Sequence, residues 1–412
     1  MPRTSLLQNR WWVVVGAFLG LIVNQGAITF YAFAIFLKPV SEDLGVSRGT
    51  LSSAVGLLLA VFAIFVPVMG SVMDRLGVRT VLLPMIVLVA LATAGLALLT
   101  ASPWILYPLF ATQGLFATCQ VPIGYAKVIT AWFDRERGLA LGIAVAGAGL
   151  GVALVPQFVA FLIEHQGWRA AYVGLGALIL AIAFVPVALF IREPPSAPAA
   201  AAGAAEVAGI SVGEAIRQPL FWIINIGFVL ATIAINGTLA HVVALLTDRG
   251  IAAATATNAL SVAGVAIIAG RIVSGWCVDR LFAPHVTVGV LCLPVAGIAL
   301  LASGAGGVAP FAGTVLCGLG IGAEIDLMAF FVGRYFGLRA FGAIYGLMFA
   351  TFAIGSGLGS FLMGATFDLA HSYRPMLVVF MAALVASCGL IGRVGPYRYA
   401  TAAGAAGGSD AR

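Results

Sequence analysis

Five ionisable side chains, Lys127, His241, Arg271, Glu324 and Asp326, stand well inside otherwise apolar runs, with the Tyr125 hydroxyl a marginal sixth. An arginine at the centre of a bilayer costs about 2.5–3.5 kcal/mol on insertion scales, so each of these groups needs a physical reason to be there. Arg271 needs the strongest one. Its planar fork suits a carboxylate held through two parallel hydrogen bonds. The competing explanations are a structural ion pair, or a side chain that extends one turn to the membrane edge.

Glu324 and Asp326 close the run Gly318-Leu-Gly-Ile-Gly322-Ala-Glu324-Ile-Asp326. Two residues along a helix subtend about 200°, so the two carboxyls do not share one face. One is expected to face a central cavity and the other a neighbouring helix. A carboxyl in such a place can carry a proton or neutralise Arg271; the plain alternative is a pair of helix–helix hydrogen bonds. His241 suits proton exchange, or is an interfacial histidine bonded to backbone. Lys127 either extends to the nearer membrane face or supplies a second cation. Tyr31, Tyr125, Asn24, Asn236 and Tyr345 are candidate hydrogen-bonding groups in the cavity, or helix-packing groups. The five cysteines form no CxxC pair and no cluster with histidine, and read as small buried residues. There is no GxSxG elbow, GxxxxGK[ST] loop or HExxH, so no enzyme activity, cofactor or metal is expected.

These side chains have to be positioned by a duplicated scaffold. Gly70-Ser-Val-Met-Asp74-Arg75-Leu-Gly77-Val-Arg79 recurs, shortened, as Gly275-Trp-Cys-Val-Asp279-Arg280-Leu281, 205 positions on. At the same offset Asp43-Leu-Gly45 matches Asp248-Arg-Gly250, and Trp168-Arg169 matches Tyr373-Arg374; Phe133 matches Phe336 at an offset of 203. Repeats of this length indicate two copies of one bundle. Val66 is the counterpart of Arg271, and the residues matching Glu324 and Asp326, near Gln120 to Ile123, carry no charge. The scaffold therefore does not itself need charge at those places, which points to a ligand.

The chain of 412 residues is 62% hydrophobic and only 9% charged, against about 25% charged in a soluble domain. About 20 apolar residues span a bilayer. Twelve such runs are legible, near 11–36, 51–69, 79–99, 104–130, 138–162, 169–190, 219–246, 255–274, 285–303, 308–331, 338–363 and 373–393. The fold class expected is an all-α membrane protein, twelve transmembrane helices in two pseudo-symmetric six-helix bundles. The first run is too long for a cleaved leader and should remain as a helix. With the N-terminus inside, 14 Lys and Arg residues fall on cytoplasmic segments and 5 on outer loops, so both termini are expected in the cytoplasm. The net charge of +6 is then a topology signal, and nucleic-acid binding is not expected. Residues 1–192 and 219–395 are expected as the two bundles, 193–218 as a flexible Ala/Pro/Gly-rich cytoplasmic linker, and 396–412 as a disordered tail.

Twelve spans, a central linker and the doubled GxxxDR loop resemble the major facilitator superfamily from about residue 10 to 395. In that resemblance Gly70, Asp74, Arg75, Gly77, Arg79, Gly275, Asp279 and Arg280 form a conformational motif: glycines bring adjacent helices close and the charges tie helix ends in one access state. The run Trp132-Phe-Asp-Arg135-Glu-Arg137-Gly-Leu-Ala140-Leu-Gly142-Ile-Ala-Val-Ala-Gly147 is similar to the signature of the monocarboxylate transporters and the bacterial oxalate/formate antiporters, and Tyr335 to Gly346 echoes it. The resemblance extends to Arg271, whose matching arginine contacts the substrate carboxylate in that family. The chain departs from the animal-type pattern: Asn24-Gln25-Gly26 replaces an acidic residue followed by glycine, and Ile267 replaces the Asp or Asn one turn before the arginine.

The expected function is secondary transport of a small organic anion, a lactate- or pyruvate-like monocarboxylate, by proton symport or anion exchange. The expected setting is the bacterial inner membrane, the expected state a monomer, and the expected partners protons, substrate and lipid. A dicarboxylate would favour a second cavity cation, and only Lys127 could serve. A permease or exporter for larger, weakly polar compounds is the alternative.

Overall fold

The computed structural model describes residues 10–133, 136–192, 209–337 and 339–399. The described part is nearly all helix: α1 (Trp11–Ile22), α2 (Ala32–Leu44), α3 (Arg48–Leu76), α4 (Val78–Gly95), α5 (Pro103–Ala117), α6 (Pro122–Trp132), α7 (Arg137–Ile179), α8 (Val185–Phe190), α9 (Val212–Ile216), α10 (Pro219–Asp248), α11 (Ala253–Val278), α12 (Ala283–Ser303), α13 (Ala309–Tyr335), α14 (Phe341–Ala370) and α15 (Arg374–Gly392). Twelve membrane crossings result. α1, a π-helical turn over Gly26–Tyr31 and α2 make the first. α3 and α4 are the second and third, and α5 with α6 is the fourth. Gly167, at φ +82°, turns the chain inside α7 and separates the fifth crossing from the sixth. α10 to α15 are the remaining six.

Large apolar side chains face outward, among them Trp104 and Leu369, each 88% exposed. In water such a surface would aggregate; in lipid it is the favourable one.

Two crossings are broken near the middle of their length. Pro122 has no N–H and forces Val121 into an extended conformation (φ −120°, ψ 153°), which parts α5 from α6. In the first crossing Asn24 bridges the break. Its Nδ2 donates to Leu21 O at 2.9 Å, and its Oδ1 accepts from Gly26 N at 2.8 Å. Exposed backbone in a membrane must find partners, and the two breaks supply each other: Gln25 N donates to Gln120 O at 2.9 Å.

Loops alternate between two faces. The terminal face carries Arg10 and Tyr399; the distal face carries the turns near residues 45, 250 and 371. On the distal side the halves meet closely. A Cβ at Gly357 would lie 2.9 Å from Gly56 Cα, and one at Gly364 would lie 2.8 Å from Arg48 O. Toward the terminal face Gly70, Gly142, Gly275, Gly342 and Gly346 have open space beside them. The bundle is closed distally and splayed at its terminal face.

Of the motif glycines, Gly70 and Gly275 stand at no close helix approach among the described residues, since a Cβ at either would meet nothing within 4 Å. Gly77, at φ +86°, makes the α3–α4 turn. Arg79 Nη2 donates to Ala188 O at 2.7 Å, Arg75 is exposed, and Arg280 folds back on Trp276. Asp279 ends α11, and the side chain of Asp74 lies outside the described residues.

The linker and tail expectations also change. Residues 193–208 and 400–412 lie outside the described residues, but 209–218 is ordered: Ile210 N donates to Phe336 O, and Ser211 and Glu214 form a capping box that starts α9. Residues 396–399 dock as well, with Arg334 stacked on the Tyr397 ring. Of the cysteines, Cys119 and Cys317 are buried, whereas Cys292 is exposed on its helix.

Candidate functional site

Side chains from both halves enclose a cavity of about 330 Å³. Its position follows from glycines at the α11–α13 crossing. A Cβ at Gly318 would lie 2.6 Å from Ala263 O, and Gly270 and Gly322 would collide with backbone across the same crossing. Contact this close brings Arg271 onto α13. Arg271 Nε lies 3.3 Å from Gly322 O and 3.2 Å from Asp326 Oδ2. The carboxylate that the sequence lacks at Ile267 is thus supplied from a different helix. The Asp326 side chain is 49% exposed and that of Arg271 24%, so both are open to an entering ligand.

The two acidic residues of α13 do diverge. Asp326 lines the cavity, whereas Glu324 is buried outside it, its Oε1 against the Thr232 hydroxyl of α10. Asn24, Tyr31, Asn236 and Tyr345 line the cavity with Arg271 and Asp326. Tyr125 does not: its hydroxyl donates to Gln120 Oε1 at 3.1 Å, and its ring packs on Gly20. Lys127 is exposed and outside the cavity wall. Arg271 is the one Lys or Arg lining the cavity among the described residues. The walls between polar groups are largely aromatic, with Phe30, Phe62, Phe349 and Phe352.

His241 lies away from the cavity, in the closed distal interface. Its Nε2 is 2.9 Å from Ser360 O, which can only accept, so Nε2 carries a proton. The same nitrogen is 3.0 Å from Ser52 Oγ of the other half, and Nδ1 is 3.3 Å from the Tyr373 hydroxyl.

Sequence reasoning missed the cluster around it. Arg48 of α3 pairs with Asp248 at the end of α10, and Lys38 Nζ joins at 3.0 Å. Asp368 of α14 accepts from Arg48 N at 3.2 Å and Gly49 N at 2.8 Å, which caps α3 from the opposite half. The Arg48 guanidinium lies 4.0 Å from the Phe367 ring centroid. The available signal was two basic residues at helix ends on one half facing two acidic ones on the other. Gln25, Gln120 and Ser356 of the cavity wall were also not singled out.

A family model described as the Major Facilitator Superfamily matches residues 17–360. The oxalate:formate antiporter of Oxalobacter formigenes is 30% identical over 229 residues, which is 55% of this chain and 53% of that one. Monocarboxylate transporter 13 of Bos taurus is 25% identical over 393 residues, which is 92% of this chain and 88% of that one. The solved structure of a bacterial homologue of the human lysosomal transporter Spinster superposes with a TM-score of 0.70 at 17% identity, covering 93% of this chain and 96% of that one. At that identity the likeness is one of fold.

Proposed function

The chain belongs to the major facilitator superfamily of membrane transporters, and on that premise we propose that it carries a small organic anion, a monocarboxylate, by alternating access. The observation that supports this is the Arg271–Asp326 pair, 3.2 Å apart on the cavity wall. In the empty cavity Asp326 neutralises the guanidinium. An entering carboxylate competes with it, and two anions on one cation repel strongly at low dielectric. A proton on Asp326 removes that repulsion and frees Arg271. One proton and one monoanion then move together with no net charge, or a second anion replaces the first in exchange. With Arg271 as the one cavity cation among the described residues, a monoanion fits better than a dicarboxylate.

The terminal face is the cytoplasmic one on this reading, because it collects most of the basic residues. The protein would sit in a bacterial inner membrane as a monomer. Residues 1–192 and 219–395 rock against each other, joined by 193–218.

The test is uptake of labelled lactate, pyruvate, formate, oxalate and 4-phenylbutyrate into proteoliposomes, with and without an inward proton gradient. Gradient-driven monocarboxylate uptake is expected to fall at least about 30-fold in Arg271→Ala, the range for removing one partner of a hydrogen-bonded charge pair that the ligand desolvates. Uptake indifferent to that change would overturn the carboxylate reading in favour of larger, weakly polar substrates.

A further inference from the structure

The cavity's polar groups are asymmetric: the charges belong to the C-terminal half, and amides stand at both helix breaks of the N-terminal half. Asn24 shows what a structural amide looks like here, since its oxygen and nitrogen both cap backbone at the break. Its neighbours differ. Gln120 is fully buried; its Oε1 accepts from Tyr125, and its Nε2 has no partner. Gln25 Nε2 is also without a partner, as is Nδ2 of Asn236, which is 4% exposed. Seven buried side-chain atoms among the described residues lack a partner, and three of them belong to residues that line one cavity.

An unsatisfied buried donor costs about 1–3 kcal/mol, so such groups need an explanation. Broken membrane helices are where transporters place ligand contacts, since irregular backbone is tolerated where it lines a cavity. Amide nitrogens donate without bringing a charge, so a neutral carbonyl can pair with them and leave no charge uncompensated.

We infer that Gln25, Gln120 and Asn236 form a second subsite that takes a ketone or amide carbonyl of the substrate, remote from its carboxylate. This rests on the carboxylate reading above for the other end of the ligand. A volume of about 330 Å³ with phenylalanine walls has room for an apolar body between the two ends. The substrate class is then a monocarboxylate longer than lactate, with an apolar body and a second, neutral carbonyl. Its carboxylate end engages the C-terminal half at Arg271, and its carbonyl end bridges both halves through Gln25, Gln120 and Asn236, so that binding draws the halves together.

The experiment measures calorimetric affinity of the full chain in nanodiscs for two matched pairs. One pair is 3-benzoylpropionate and 4-phenylbutyrate; the other is 4-hydroxybutyrophenone and 4-phenyl-1-butanol. Within each pair only the ketone differs. The ketone is expected to bind about fivefold tighter or more in both pairs, the range for one hydrogen bond. Gln120→Glu keeps the oxygen that Tyr125 donates to and replaces the nitrogen; Gln120→Leu removes both. Both variants should bring the ketone ratio toward one. Arg271→Ala should weaken both acids by the same factor and leave their ratio intact. A ratio near one in the native protein in both pairs, or a ratio that the Gln120 variants leave alone, overturns the subsite. If the acids bind no better than the alcohols and Arg271→Ala changes nothing, the carboxylate reading fails, and the alcohol pair still decides the amide subsite.

Discussion

Arg271 shows how far a single residue can be read. An arginine in an apolar run, with Val66 at the matching place of the other repeat, already implied a ligand contact rather than a scaffold need. Its counter-ion was not legible. Asp326 is 55 residues away in the chain, and only the α11–α13 crossing brings it within 3.2 Å. The 200° argument did foretell that Glu324 and Asp326 diverge, but helix periodicity has no information about which one meets the cavity. Asp326→Asn keeps the shape and cannot ionise. Uptake in that variant is expected to lose its acceleration by a proton gradient while anion exchange persists. Proton-driven uptake undiminished in Asp326→Asn would move the coupling role elsewhere, with Glu324 the next carboxyl to replace.

At the scale of elements, the helix runs were legible because about 20 apolar residues span a bilayer whatever surrounds them. The breaks were less so. Pro122 announces one of them, whereas the interruption at Asn24 depends on side-chain bonds formed only in the fold. The segment before α10 reads as flexible because its composition is dominated by alanine and proline up to Ala208, whereas Ser211 and Glu214 carry a capping signature that composition does not register. Glu214 accepts from Ser211 N at 2.7 Å and from Ser211 Oγ at 2.9 Å, and these bonds hold its carboxyl below the ordinary carboxylate value. A lowered folded value means that the stabilisation is present above the unfolded value and is lost as pH falls through the folded one. Hydrogen-exchange protection of residues 212–216 should therefore fall as pH drops below about 4. Ser211→Ala should lower it about fivefold at neutral pH, a typical loss for an N-cap. Protection unchanged in Ser211→Ala would mean that packing against Phe336, not the cap, holds α9.

At the scale of the molecule, the distal closure is a charge and hydrogen-bond assembly between the halves. Arg48 and Lys38 meet Asp248, Asp368 caps α3, and His241 lies against Ser52. The repeat partner of Asp248 is Asp43, which bonds Trp168 at 3.0 Å and Arg169 at 2.8 Å within its own half. Equivalent residues thus hold one bundle together in one copy and lock two bundles in the other. Asp248→Asn leaves the buried Arg48 without its counter-ion, which penalises the closed state. A thiol placed at Ser356, on the cavity wall, should then label faster with an impermeant reagent added on the distal side. Equal labelling rates in native and Asp248→Asn backgrounds would show that the apolar glycine crossings alone keep that face shut.

Composition and periodicity, acting locally along the chain, determined the membrane setting, the twelve crossings, the duplication and the presence of an arginine inside an apolar run. These depend on transfer free energy and on helix length, which each segment carries by itself. The tertiary structure decided which carboxylate faces Arg271, which amides are left without partners, and which face is closed. Those are properties of helix crossings, where a glycine on one helix sets how near the backbone of another can come, and no single segment contains both sides of a crossing.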